Sequence, residues 1–153
     1  MNLRMNGKAG KRASSVGVVA VALAATLAGM TGSAYAAGPT GSEACPSNSF
    51  CLYYNSPNAG WGSFEHWSPA TDRDLSQDTF SNWGNGSGYG QAVGGNAAAV
   101  VNNTGQTVAV YSGTNCSTEQ SHNPNPAVTK FAPYTSGQLT GSLYNGAWSF
   151  CGD

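Results

Sequence analysis

Four cysteines set the terms on which this chain can fold: Cys45, Cys51, Cys116 and Cys151, all of them behind an N-terminal leader. Arg4, Lys8, Lys11 and Arg12 give that leader a cationic start, and Ser14 to Gly29 is almost wholly apolar or small. Ala34-Tyr35-Ala36 then supplies the small residues a signal peptidase reads. An apolar run of about 15 residues is short for a membrane span, so cleavage after Ala36 is expected rather than retention as an anchor. Residues 1–36 therefore read as a signal peptide, 37–44 as a flexible tail and 45–153 as one small domain, secreted to the extracellular space. In an oxidising compartment an even cysteine count reads as a disulfide framework.

Four cysteines allow three connectivities. The expected one is Cys45–Cys51, closing a turn through Pro46-Ser47-Asn48, with Cys116–Cys151 tying the last strand to the middle of the second half. By loop entropy the short bridge stabilises by about 2 kcal/mol and the long one by about 4. That matters in a domain this small. The rival use of the cysteines is zinc. There is no C-x₂-C pair, however, and His66 and His122 are the two histidines that could assist, so no metal is expected there.

Behind the leader the chain carries Arg73 and Lys130 against Glu43, Glu65, Asp72, Asp74, Asp78, Glu119 and Asp153, a formal charge of −5. Nucleic-acid binding requires several phosphates to be neutralised, and an anionic membrane makes the same demand. Two cations do not meet it, so neither a nucleic acid nor, after signal cleavage, a membrane is expected as partner. The same stretch holds 4 Leu, 6 Val, no Ile and no Met, but 15 aromatic residues. Each aromatic buries about 150–250 Å², so a few of them replace many aliphatics. Abundant Gly, Asn, Ser and Thr add the turns that short strands need.

The strand pattern follows. Phe50-Cys51-Leu52-Tyr53-Tyr54 ends in the turn signal Asn55-Ser56-Pro57-Asn58. Trp61 to Trp67 alternates and stops at Ser68-Pro69. Asp72 to Asp78 is polar and fits one helical turn, and Thr79 to Trp83 resumes a strand pattern. Gly84 to Asn96 has six glycines in thirteen residues and reads as a loop. Ala97 to Asn103, Thr107 to Tyr111, Val128 to Phe131, Leu139 to Tyr144 and Ala147 to Cys151 complete about eight strands. Tight turns favour antiparallel connections, and the whole predicts an all-β sandwich of two four-stranded units.

Cys45-Pro46-Ser47-Asn48-Ser49-Phe50-Cys51-Leu52-Tyr53-Tyr54-Asn55 resembles the opening C-P-x₄-C-L-Y run of the bacterial peptidase inhibitor family thirty-six, secreted domains related to a metalloproteinase inhibitor. Ala97-Ala98-Ala99-Val100-Val101-Asn102-Asn103 and Thr107-Val108-Ala109-Val110-Tyr111 look like that family's middle strands. The likeness is good from Cys45 to Tyr111 and poor beyond. It implies a βγ-crystallin-like sandwich of two Greek keys. Ala59 stands where the first key has its corner aromatic, and Cys116 with Thr118 occupies the second corner. The Cys116–Cys151 bridge is expected to substitute for that second aromatic.

Crystallin-like domains often bind calcium through oxygen ligands. Here Gly94-Gly95-Asn96-Ala97-Ala98-Ala99 has alanine in place of the hydroxyl pair, while Tyr144-Asn145-Gly146-Ala147-Trp148-Ser149 retains one Asn and one Ser. Asp72 to Asp78 resembles the start of an EF-hand loop, but Gln77 replaces its glycine and Trp83 its closing Glu. These aspartates read as a solvated turn, and no cofactor is expected.

Catalysis has little to work with. His66 or His122 lacks a nucleophile-elbow context, and Glu65, Asp72, Asp74 and Asp78 sit in a domain with little wall for a sugar cleft. A non-enzymatic, monomeric inhibitor of a secreted protease fits better. A rigid, stapled segment loses little ordering entropy on binding, and a domain of this size supplies the roughly 800 Å² per partner that such contacts bury. The expected inhibitory segment is Tyr111 to Pro126, anchored by Cys116 and stiffened by Pro124 and Pro126, with Glu119, Gln120 and His122 able to reach a metal or substrate pocket. The alternatives are a carbohydrate- or cell-wall-binding module, motivated by Trp61, Trp67 and Trp83, and a toxin-like crystallin fold. Two exposed, coplanar tryptophans would favour the sugar reading.

Overall fold

Every strand is short, four residues at most, so the architecture depends on how strands are shared between sheets. The computed structural model describes residues 38–118 and 127–152; the expected signal peptide, 1–36, lies outside the described residues. The strands are β1 (Phe50–Tyr53), β2 (Phe64–Trp67), β3 (Arg73–Asp74), β4 (Ala99–Asn102), β5 (Val108–Tyr111), β6 (Val128–Phe131), β7 (Thr135–Gln138) and β8 (Ser149–Gly152). They form two four-stranded antiparallel sheets, ordered β2-β1-β4-β7 and β3-β8-β5-β6.

A Greek key has the spatial order 4-1-2-3. The first four strands follow it as β4-β1-β2 and the last four as β8-β5-β6, but in each the third strand crosses to the other sheet. β3 pairs with β8, Arg73 opposite Phe150, and β7 pairs with β4, Asn102 opposite Thr135. The expected all-β chain of two four-stranded antiparallel sheets is present, with this exchange added.

The exchanged strands are where the sequence reading needs correcting. Asp72 to Asp78 is not a helical turn: it gives β3 and then a turn in which the Ser76 amide donates to Asp74 Oδ1 at 2.8 Å. Thr79 to Trp83 forms isolated bridges, Thr79 with Ala92 and Asn82 with Phe64. Leu139 to Tyr144 contains a 3₁₀ turn, Gly141–Leu143, and the strand lies earlier, at Thr135–Gln138. Leu139 and Leu143 are buried as plugs from this connection instead of as strand residues.

Between the sheets, Phe50 and Leu52 of β1, Val100 of β4, Val108 and Val110 of β5 and Phe150 of β8 make the main core. The Phe50 and Phe150 rings meet at 4.7 Å, and Trp67 reaches Phe150 at 4.8 Å. β1 is buried on both faces, which explains its unbroken apolar run. Its outer residues Cys51 and Tyr53 join Trp61, Phe64 and Ala99 in a second cluster. Trp61 packs edge-on against Tyr53 at 5.1 Å. Residues 38–44 lie along this side. The Tyr53 hydroxyl donates to the Glu43 carbonyl at 2.8 Å, and Ser42 Oγ donates to the Gly84 carbonyl at 3.2 Å. Burial, with a smaller contribution from the charge of Glu43, pushes the Tyr53 phenol well above its ordinary range.

One polar side chain links the sheets. Asn102, fully buried at the end of β4, donates from Nδ2 to the carbonyls of Gln106 at 2.8 Å and of Phe131 and Ala132 at 3.0 Å each. Its Oδ1 accepts from the Thr104 hydroxyl at 2.7 Å and amide at 3.2 Å. The group is satisfied on both atoms, as a buried amide must be.

Candidate functional site

The β5–β6 connection, residues 112–127, leaves the second sheet and returns to it through a closed stem. Ser112 donates its amide to the Ala127 carbonyl at 2.9 Å, and the Ala127 amide donates to Ser112 Oγ at 2.8 Å. Beyond this clasp the chain turns tightly, with Gly113 donating to the Ser117 carbonyl at 2.9 Å and Ser117 to the Thr114 carbonyl at 3.1 Å. At the turn Asn115 and Cys116 both have positive φ, 50° and 58°. Asparagine tolerates this conformation; for cysteine it costs about 1–2 kcal/mol.

Two contacts from β8 offset that cost. The Cys116 amide donates to Ser149 Oγ at 3.0 Å, and that hydroxyl donates to the Gly113 carbonyl at 2.5 Å. Cys116 is also disulfide-bonded to Cys151, with Cα atoms 6.0 Å apart. Ser112 and Ser149 are both fully buried, and the Ser149–Gly113 bond is shielded from water. The arrangement holds a short length of backbone in one conformation at the end of a sheet.

Both expected disulfides are formed, Cys45–Cys51 with Cα atoms 5.9 Å apart. Glu119, Gln120, His122 and Pro124, expected in the presented part of the loop, lie outside the described residues. Sequence reasoning missed Ser112 and Ser149. Nothing local marks these two serines among the many in the chain; their role comes from the pairing of β5 with β8, Tyr111 opposite Ser149.

The other candidate groups are dispersed. His66 faces outward on β2 opposite Cys51, and its Nδ1 is buried without a hydrogen bond. Glu65 is occupied by the Ser81 amide and hydroxyl. Asp78 is paired with Arg73, whose guanidinium is held protonated more strongly by that hydrogen bond. Among the described residues, Asp72 lies near Cys116 and Cys151, but both sulfurs are spent in their own bond and offer no thiolate to a metal. An open depression nearby is lined by Ala70, Thr71, Asp72, Gln106 and Gly152, with Asp72 its ionisable side chain. Trp61 is buried and Trp67 packs against the core, leaving Trp83 exposed, so the coplanar tryptophan pair that would favour a sugar platform is not formed.

The sequence profile of peptidase inhibitor family I36 matches residues 38–122, more than half of the chain, from the start of the described residues into the β5–β6 connection. Neither a curated protein nor a solved structure matches the chain.

Proposed function

The chain belongs to peptidase inhibitor family I36, and we propose that it is a secreted proteinase inhibitor, directed at metalloproteases, that offers the Cys116-anchored loop to the protease cleft. The observation carrying this reading is the double attachment of Cys116 to β8, through its amide to Ser149 and its sulfur to Cys151. A segment immobilised before binding loses little further freedom in the complex, so more of its contact energy appears as affinity. Glu119, Gln120 and His122, farther along the same loop, carry carboxylate, amide and imidazole groups of the kinds that ligate zinc or fill a substrate pocket. On this reading residues 1–36 direct export, and the mature monomer meets its protease outside the cell. Among the described residues no helix is long and apolar enough to cross a membrane.

The test is a panel of secreted zinc metalloproteases and serine proteases, each assayed with the purified protein at up to micromolar concentration. Slowing of one or more metalloproteases, with the serine enzymes unaffected, is the expected result. A folded preparation that slows none of them overturns the proposal. Slowing of serine enzymes alone overturns its metalloprotease part.

A further inference from the structure

The two halves of the fold are not equal in their connections, and the inequality points to a second functional surface. Between the third and fourth strands of the second key, β7 and β8, lie ten residues, 139–148; between β3 and β4 lie twenty-four, 75–98. The sandwich closes with the shorter link, so the extra length is not needed to complete it. Connections this long without strands or helices of their own are usually functional.

The added segment carries Trp83 and Tyr89, 64% and 50% exposed, with ring centroids 5.1 Å apart and planes tilted by 52°. Two exposed rings in contact make a patch, which is informative where a lone exposed ring such as Tyr134 is not. Their backbone is fixed. Ser63 Oγ donates to the Trp83 carbonyl at 2.7 Å, and the Ser63 amide donates to the Ser87 carbonyl at 2.8 Å. Asn85 Nδ2 donates to the Gly60 carbonyl at 2.7 Å. Gly86, at φ 86°, lies so close under the Trp83 ring that a Cβ there would stand 2.7 Å from its Cζ2. The rings are therefore presented on a braced support.

The chemistry of the segment favours a protein partner. Residues 82–91 read Asn-Trp-Gly-Asn-Gly-Ser-Gly-Tyr-Gly-Gln, without a charge. Tyr, Ser, Gly, Asn and Trp are the residues that binding loops of antibodies use, because they combine large rigid contact area with adaptable hydrogen bonds. Trp and Tyr also dominate interface hot spots. Position supports the same partner as the Cys116 loop. The end of β1 is joined to the end of β5 by backbone bonds from Ala98 to Tyr53, Asn145 to Ala97, and Trp148 to Tyr111, each 2.8 or 2.9 Å. The Trp83 segment, bonded to Ser63 just before β2, and the Cys116 loop, leaving β5, thus open at the same end of the sandwich.

We infer that Trp83 and Tyr89 form a second contact patch for the inhibited protease, outside its cleft. This rests on the inhibitor reading. Stable protease–inhibitor complexes bury roughly 800 Å² per partner, and the aromatic patch adds its area to that of the loop. Being uncharged, it contributes affinity that salt does not screen.

The experiment combines Trp83→Ala with Tyr89→Ala in the full chain, expressed and purified as the parent is. Inhibition constants are measured against the zinc metalloprotease of the panel that the parent slows most. Thermal unfolding is followed in parallel, and Tyr134→Ala, a change at a 71% exposed residue on the opposite end, is the control. The expected result is a rise in inhibition constant of about tenfold or more, with an unchanged melting temperature and an unaffected control. A constant within twofold of the parent overturns this inference while leaving the inhibitor reading standing. A parent that slows no protease overturns both. Retention of the parent, but not the double variant, on insoluble cell-wall polysaccharide, with inhibition equal in the two, assigns the patch to a sugar and overturns the inference.

Discussion

Ser149 on the last strand receives the amide of Cys116 at 3.0 Å, two residues before Cys151 takes the sulfur of the same cysteine. The strand therefore holds one loop residue by two independent means. The bridge confines the loop's position, and the hydroxyl confines its backbone orientation. The two can be removed separately.

Replacing the hydroxyl, Ser149→Ala, strips partners from the Cys116 amide and the Gly113 carbonyl while the disulfide remains. Leaving such buried groups unpaired costs about 2 kcal/mol. Urea unfolding should show that loss, and inhibition should weaken by more than stability alone explains. Full inhibition in this variant would remove the stem from the mechanism.

Removing the bridge, Cys116→Ser with Cys151→Ser, frees a loop closed over a sequence separation of 35. The unfolded chain gains entropy equivalent to about 4 kcal/mol. The denaturation midpoint should fall accordingly, and the protease should digest the loop instead of being blocked by it, as gel analysis of the mixture would show.

Asn102→Ala leaves three carbonyls and the Thr104 hydroxyl without their shared partner. The expected destabilisation is about 3 kcal/mol. Asn102→Asp is worse at neutral pH, since a carboxylate oxygen would face carbonyl oxygens where an amide now donates. Circular dichroism melts of the two variants give the ranking directly.

Tyr53 sets an alkaline limit. Its pKa is raised in the folded state, so folding favours the neutral phenol. The associated stability is complete below the unfolded value of about 10 and is lost as pH climbs beyond it. Tyr53→Phe gives up the bond to Glu43, worth about 1 kcal/mol at neutral pH, but should flatten the decline above pH 10. Melting temperatures across pH 7 to 11 check both halves of this statement.

What was legible in the sequence depended on the kind of signal. The even cysteine count points to the two bridges, and the alternating valines Val108 and Val110 point to β5. β3 and β7 were misplaced because Arg73-Asp74 and Thr135-Ser136-Gly137-Gln138 have no apolar period. These strands exist by backbone pairing to a neighbour supplied by the other half, information no local window contains. The stem serines were hidden for the same reason. Trp61, Trp67 and Trp83 look alike in sequence, yet two turn inward and one outward, a choice made by the turn at Gly60 to Ser63 and by the long 75–98 connection.

Each half contributes an outer member to a layer it does not own, so loosening either one uncovers the flank of its counterpart. Cutting the gene at the 103–107 turn would yield two insoluble pieces rather than two smaller modules, and heating the intact molecule would melt it in a single step. Evolution can lengthen the loops at its tip freely, but it cannot lose a half.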